Sequence, residues 1–132
     1  MRAFDSKGRT IASAVGRGAL AANTTGTPNT AVGSLALTAN TTGASNTAMG
    51  RQSMQANTTG TRNIAIGFAA YNSSDTENDN IAIGYDAMTT NTAGGTQNIA
   101  IGNYAADALT SGDNSTIIGY NAGTSITTGG SH

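Results

Sequence analysis

Groups able to do chemistry are sparse in this chain. The densest set is Asp75-Thr76-Glu77-Asn78-Asp79, which places three carboxylates at alternate positions. Oxygen ligands so spaced could gather a hard cation such as calcium, but the run lacks the glycine and the distal bidentate Glu of a calcium loop, so a solvated turn is the favoured explanation. Asp75, Glu77 and Asp79 are therefore the metal candidates, and no cofactor is expected. The single His is His132, there is no Cys, and no Ser stands in a nucleophile-elbow setting. These residue types point away from an enzyme.

Binding has more to draw on. Phe68, Tyr85 and Tyr120 each follow a glycine of one recurring phrase. Stacked, exposed rings at those positions would make a sugar-binding strip; a packing ladder along one edge, or an oligomer seam, is the plainer alternative. Thr24, Thr41 and Thr58 share one place in the repeat and Thr25, Thr42 and Thr59 the next, and such ranks could order water or ice. The Asn-x-Ser/Thr sequon occurs at Asn23, Asn40, Asn57, Asn72 and Asn114, and a repeated turn accounts for the first three. All six Lys and Arg lie in residues 1–62 without interleaved aromatics, too thin a spread for a nucleic-acid face.

What positions these residues is a repeat. Asn63-Ile64-Ala65-Ile66-Gly67 returns as Asn80-Ile81-Ala82-Ile83-Gly84 and Asn98-Ile99-Ala100-Ile101-Gly102. Looser copies close at Gly33, after Asn29, and at Gly50, after Asn46; worn copies end at Gly16 and Gly119. The spacing of the glycines is 17 throughout, apart from one step of 18 between Gly84 and Gly102. A period of this length means stacked identical units, not a domain with an irregular core. A disordered Thr/Asn/Gly tract has no reason to keep it.

The expected fold is all-β: a parallel solenoid of about seven 17-residue coils over residues 12–123. An attachment or capping segment occupies 1–11 and a tail 124–132. Each coil offers two short extended segments separated by turns. In Asn-Ile-Ala-Ile-Gly, alternation puts the isoleucines on one face and the alanine on the other. Glycine at the fifth place, and usually again at the fifteenth, is expected to supply a positive-φ corner. The leading Asn suits a turn, where its amide can bond the backbone or its equivalent in the next coil. One coil buries two or three large apolar side chains at roughly 1.5–3 kcal/mol each. Ordering its backbone costs about 1–2 kcal/mol per residue. The leftover apolar face is therefore expected to meet copies of itself.

The phrase Asn-Thr/Ile-Ala-Val/Ile-Gly, followed by Ala-Leu and Asn-Thr-Thr-Gly, resembles the head repeats of trimeric autotransporter adhesins of the YadA-like kind and related repeats of phage tail fibres. The resemblance covers roughly residues 12–123. It implies a left-handed parallel β-roll, three chains packed side by side, and a division of Ile64, Ile66, Ile81, Ile83, Ile99, Ile101 and the alanines between coil interior and trimer seam. The adhesin repeat is shorter. The chain also shows no export signal, coiled-coil stalk or membrane anchor, and no apolar run near the roughly 18 residues of a membrane span. That turns the expectation toward a phage or virion fibre, or an excised segment of a larger cell-surface adhesin, attaching to a receptor or glycan. A ligand- or ice-binding solenoid, or an extracellular filament subunit, is the alternative.

Charge is laid out unevenly. Residues 1–62 hold six basic groups and one acid, while residues 63–132 hold six acids and no Lys or Arg. On a rod built in sequence order this makes a basic and an acidic half, which with open sheet edges at both ends predicts end-to-end stacking weakened by salt.

Overall fold

The computed structural model describes residues 2–4, 10–90 and 94–128; His132 and residues 5–9 of the expected capping segment lie outside them. After a short β1 (Arg2–Phe4), seven strands follow, one to a coil: β2 (Thr10–Val15), β3 (Asn29–Val32), β4 (Thr47–Met49), β5 (Ile64–Ile66), β6 (Ile81–Ile83), β7 (Ile99–Ile101) and β8 (Thr116–Ile118). Strands β2 to β8 pair in sequence order, all parallel, and no helix occurs among the described residues. The chain is an all-β parallel solenoid, as its period requires.

Register follows the repeat residue for residue. Ala31, Ala48, Ala65, Ala82 and Ala100 sit on one another and end under Ile117. They point inward and are fully buried, while the residues on either side of each alanine point outward. Alanine lines the strand side of this narrow coil up to Ala100, and in the last coil the larger Ile117 takes that place. The opposite wall supplies one larger side chain per coil: Leu20, Leu37, Met54, Tyr71 and Met88. In the sixth coil Ala106 takes that place and buried Leu109, three residues on, fills the space an Asn holds elsewhere, so the core volume is kept.

The leading asparagines are the rungs of a buried ladder. Backbone N–H groups of Asn46, Asn63, Asn80 and Asn98 donate to the side-chain oxygen of the Asn one coil earlier at 2.9–3.0 Å. Each side-chain nitrogen crosses the coil to a carbonyl on the far wall, as from Asn29 to Gly43 at 2.7 Å and from Asn63 to Glu77 at 2.8 Å. Asparagine is required because one planar group must both accept along the axis and donate across it.

Three expectations need correction. First, among the described residues each coil has one strand and not two extended segments. After the closing glycine the backbone alternates between right- and left-handed turns, so that Leu35 (φ 63), Leu37 (φ 49), Gln52 (φ 62) and Met54 (φ 49) are left-handed without being glycine. Their amides point along the rod and bond adjacent coils: Leu35 N–H to the Arg17 carbonyl at 2.8 Å, Leu37 N–H to the Ser53 carbonyl at 3.0 Å. Such bonds offset the roughly 1–2 kcal/mol that an L-residue loses in this conformation.

Second, the glycines at the fifteenth place, Gly26, Gly43 and Gly60, do not have positive φ. They are glycine because an added Cβ would overlap both the next coil's carbonyl and the coil's own Asn23, Asn40 or Asn57 amide. At the fifth place the expectation holds, as with Gly67 at φ +135°. Third, the sheet is not open at both ends. β1 pairs antiparallel with β2, Ala3 opposite Ala12, and occupies the edge that a stacked rod would need. The first coil's strand also begins at Thr10, two residues before the expected boundary.

Candidate functional site

The three spaced carboxylates do not converge. Glu77 is buried and turns inward, where its carboxylate accepts from the backbone N–H groups of Asp75 (2.7 Å), Thr76 (3.1 Å) and Gly94 (3.2 Å). Asp79 forms a two-pronged pair with Arg62 at 2.6 and 2.8 Å, and that hydrogen bond holds its carboxyl below the usual range and raises the guanidinium. Asp75 accepts from the Thr58 hydroxyl of the coil before. Among the described residues no group of three or more His, Cys, Asp or Glu could hold a metal ion.

The same coil departs from its neighbours in three linked ways. Ser74 stands where Asn23, Asn40 and Asn57 form a second ladder, Asn40 donating to Asn23 at 2.7 Å and Asn57 to Asn40 at 2.8 Å. The ladder stops there and leaves the buried Asn57 oxygen without a partner. The smaller Ser74 makes room for a Cβ at residue 77, so Glu77 can replace the glycine of the other coils. Tyr71 fills the core place, its hydroxyl accepting from the Asn80 amide; burial, with the nearby Glu77 charge, drives its ionisation far above the normal range.

The threonine ranks divide. Thr24 and Thr41 turn their hydroxyls onto the carbonyls of Thr41 and Thr58 at 2.9 and 3.1 Å, so the first rank is largely consumed by the fold. Thr25, Thr42 and Thr59 are exposed. Asn40 and Asn57 of the repeat sequons are fully buried, which leaves their amides nothing to offer a glycosylating enzyme.

Two outward surfaces remain. One is the sheet face. Val15, Val32, Met49, Ile66, Ile83, Ile101 and Ile118 form an unbroken column, and a second column is apolar over Ile64, Ile81 and Ile99 with threonine at Thr30, Thr47 and Thr116. Val15 is 61% exposed and Ile118 64%. At about 4.8 Å per strand the seven rungs make a face about 29 Å tall.

The other surface is the corner just after the closing glycine. Phe68 and Tyr85 stack there, 5.1 Å apart and 12° from parallel. Beyond them the stack breaks: Tyr85 meets Tyr104 at 63° and Tyr104 meets Tyr120 at 86°. The rings thus form a ladder but not the flat strip expected of a sugar platform. Tyr104 was not among the sequence candidates, because it stands two residues after its glycine. Its left-handed φ of 60° swings it back among rings that stand one residue after theirs. At the basic end the Arg51 guanidinium lies 5.4 Å from the Phe68 ring centre. Beside the rings, burial and then the Asp107 charge raise the Asp86 carboxyl; burial first, and then the neighbouring Tyr85, Asp86 and Tyr120, raise the Tyr104 hydroxyl.

No helix among the described residues is long and apolar enough to cross a membrane. Comparison with protein-family models, curated proteins and solved structures gives no match to this chain.

Proposed function

We propose that this chain is a non-enzymatic structural segment of a trimeric fibre or adhesin, a rod for surface attachment or host recognition at a virion or cell surface. One observation carries the reading: a regular outward apolar face running the whole length of the sheet. A contiguous patch of a few hundred Å² on a soluble protein marks an interaction site, and a face that repeats with the coil is matched best by another copy in the same register. The sequence resemblance supplies the number three. The narrow core argues in the same direction, since alanines and one larger side chain per coil leave most of the large aliphatic groups outside.

The test is the mass in solution. Sedimentation equilibrium at micromolar protein is expected to give three times the chain mass, and Ile66→Lys with Ile83→Lys is expected to give monomers of unchanged circular dichroism. A stable wild-type monomer at that concentration would overturn the proposal.

A further inference from the structure

The corner column is self-complementary. Phe68 stands at its middle, in the fourth of seven coils. Arg51, Ser34 and Arg17 precede it at one-coil steps, and Tyr85, Asn103 and Tyr120 follow it at one-coil steps. A half-turn about an axis through Phe68, perpendicular to the rod, carries Arg51 onto Tyr85, Ser34 onto Asn103 and Arg17 onto Tyr120. In the adjoining position it carries Leu35 onto Tyr104 and Gln52 onto Asp86. Cation meets ring twice, polar meets polar, and aliphatic meets ring.

The chemistry of that match is already present within one chain, where Arg51 lies against Phe68. The groups can be reached: Arg17, Arg51 and Asn103 are exposed, Tyr120 is 71% exposed, and Tyr85, one face of which stacks on Phe68, is 42% exposed. Cations over aromatic faces attract, the more so once water is excluded. The wider charge layout agrees, because no Lys or Arg occurs after residue 62. Antiparallel rods set the basic half on the acidic half along their length, whereas parallel rods joined at this corner would oppose Arg to Arg and Asp to Asp.

We infer that this column is a self-recognition surface through which two rods pair side by side and antiparallel, Arg17 and Arg51 of each seated on Tyr120 and Tyr85 of the other. Such a contact is isologous and closes on itself. It uses a different surface from the sheet face and does not rest on the trimer; a trimer would carry three such columns.

The chain has no cysteine, so the register can be read by cross-linking. Ser34→Cys and Asn103→Cys proteins are made separately, mixed and oxidised at low concentration. The mixed disulfide is expected at least tenfold in excess of either like pair, since two copies of residue 34 would stand four coils, about 19 Å, apart. A predominance of Ser34→Cys self-links would show parallel pairing, and a statistical mixture would show no register; either overturns the inference. In a second arm, Arg17→Ala with Arg51→Ala, and separately Tyr85→Ala with Tyr120→Ala, are each expected to lose at least tenfold in self-association. An equimolar mixture of the two is expected to recover part of it, because the arginines of one can still meet the tyrosines of the other. A mixture no better than its components would refute the pairing. The Ile66→Lys, Ile83→Lys protein carrying the cysteines is expected to cross-link as before, which separates this contact from the proposed trimer.

Discussion

Exchanging Ser74→Asn and Glu77→Gly together would rewrite the fourth coil in the form of the third, and the two changes are expected to depend strongly on one another. Ser74→Asn alone puts an amide where the Glu77 Cβ already stands, since a Cβ at the equivalent Gly60 would overlap the Asn57 oxygen. Overpacking of this kind costs about 1–3 kcal/mol. Glu77→Gly alone removes a carboxylate that accepts from Asp75, Thr76 and Gly94 amides. Bonds to a charged group contribute about 1.5–3 kcal/mol each when buried. Asp75 and Thr76 are exposed, and their amides can turn to water. A total loss near 2–4 kcal/mol is expected, part of it the roughly 0.5–1 kcal/mol entropic cost of glycine. In the double variant the clash is gone, and the amide introduced at position 74 can donate to the unpartnered Asn57 oxygen, whose isolation costs about 1–3 kcal/mol. The pair should therefore be at least about 2 kcal/mol more stable than the sum of the single effects predicts. Urea unfolding followed by circular dichroism, at one fixed protein concentration because association shifts apparent stability, measures all four proteins. Additivity within about 0.5 kcal/mol would refute the linkage between the missing rung and the inward glutamate.

Gly67→Ala is expected to cost more than about 3 kcal/mol, because its Cβ would overlap the Gly84 carbonyl at a φ of +135°, whereas Gly94→Ala, with nothing within 4 Å, should cost about 1 kcal/mol; equal losses in thermal melts would contradict this. Gln97→Gly relieves an exposed left-handed residue (φ 61) and should raise stability by about 0.5–1 kcal/mol, while the same change at exposed Thr42, where φ is not positive, should lower it; urea unfolding of the two variants would show losses at both sites if the reasoning is wrong. Asp86 has a carboxyl raised first by burial and then by Asp107. Its stabilising contribution is full below the unfolded carboxylate range and is lost as pH rises through the folded value. Asp107→Asn should lower the Asp86 value without restoring it to normal, and should raise the melting temperature at pH 7 more than at pH 3; carboxyl titration by NMR and melts at both pH values test this, and an equal gain at both would sink it.

Much of the fold was legible because a solenoid converts period into position. Once Gly33, Gly50, Gly67 and Gly84 recur at one spacing, their coils must stack. The strict alternation in Ile64-Ala65-Ile66 then puts small and large residues on opposite faces of the sheet, while the inward direction of the small ones is set by the narrow coil. The buried Asn ladder was foreseeable for the same reason, since identical amides one coil apart can bond identical partners. The 18-residue step keeps the ladder intact, because Gly95 supplies the carbonyl to which the Asn80 amide donates at 2.9 Å, one residue later than Glu77 does for Asn63.

What the sequence determined by itself, then, is the period, the strand register and the separation of isoleucines from alanine on opposite faces of the strand, because these depend only on spacing; which face turns inward was decided by the structure. The tertiary structure alone decided where the corner side chains go. Left-handed places occupied by Leu35, Gln52, Asp86 and Tyr104 carry no glycine to announce them, so nothing local shows that Tyr104 joins the ring column. Nor does anything local separate a glycine needed for its dihedral, Gly67, from one needed for the missing Cβ, Gly60. The inward turn of Glu77, the Arg62–Asp79 pair and the covering of β2 by β1 likewise arise between residues that meet only after the chain has wound. Their geometry is set by the closeness of successive coils, a distance that no stretch of sequence contains.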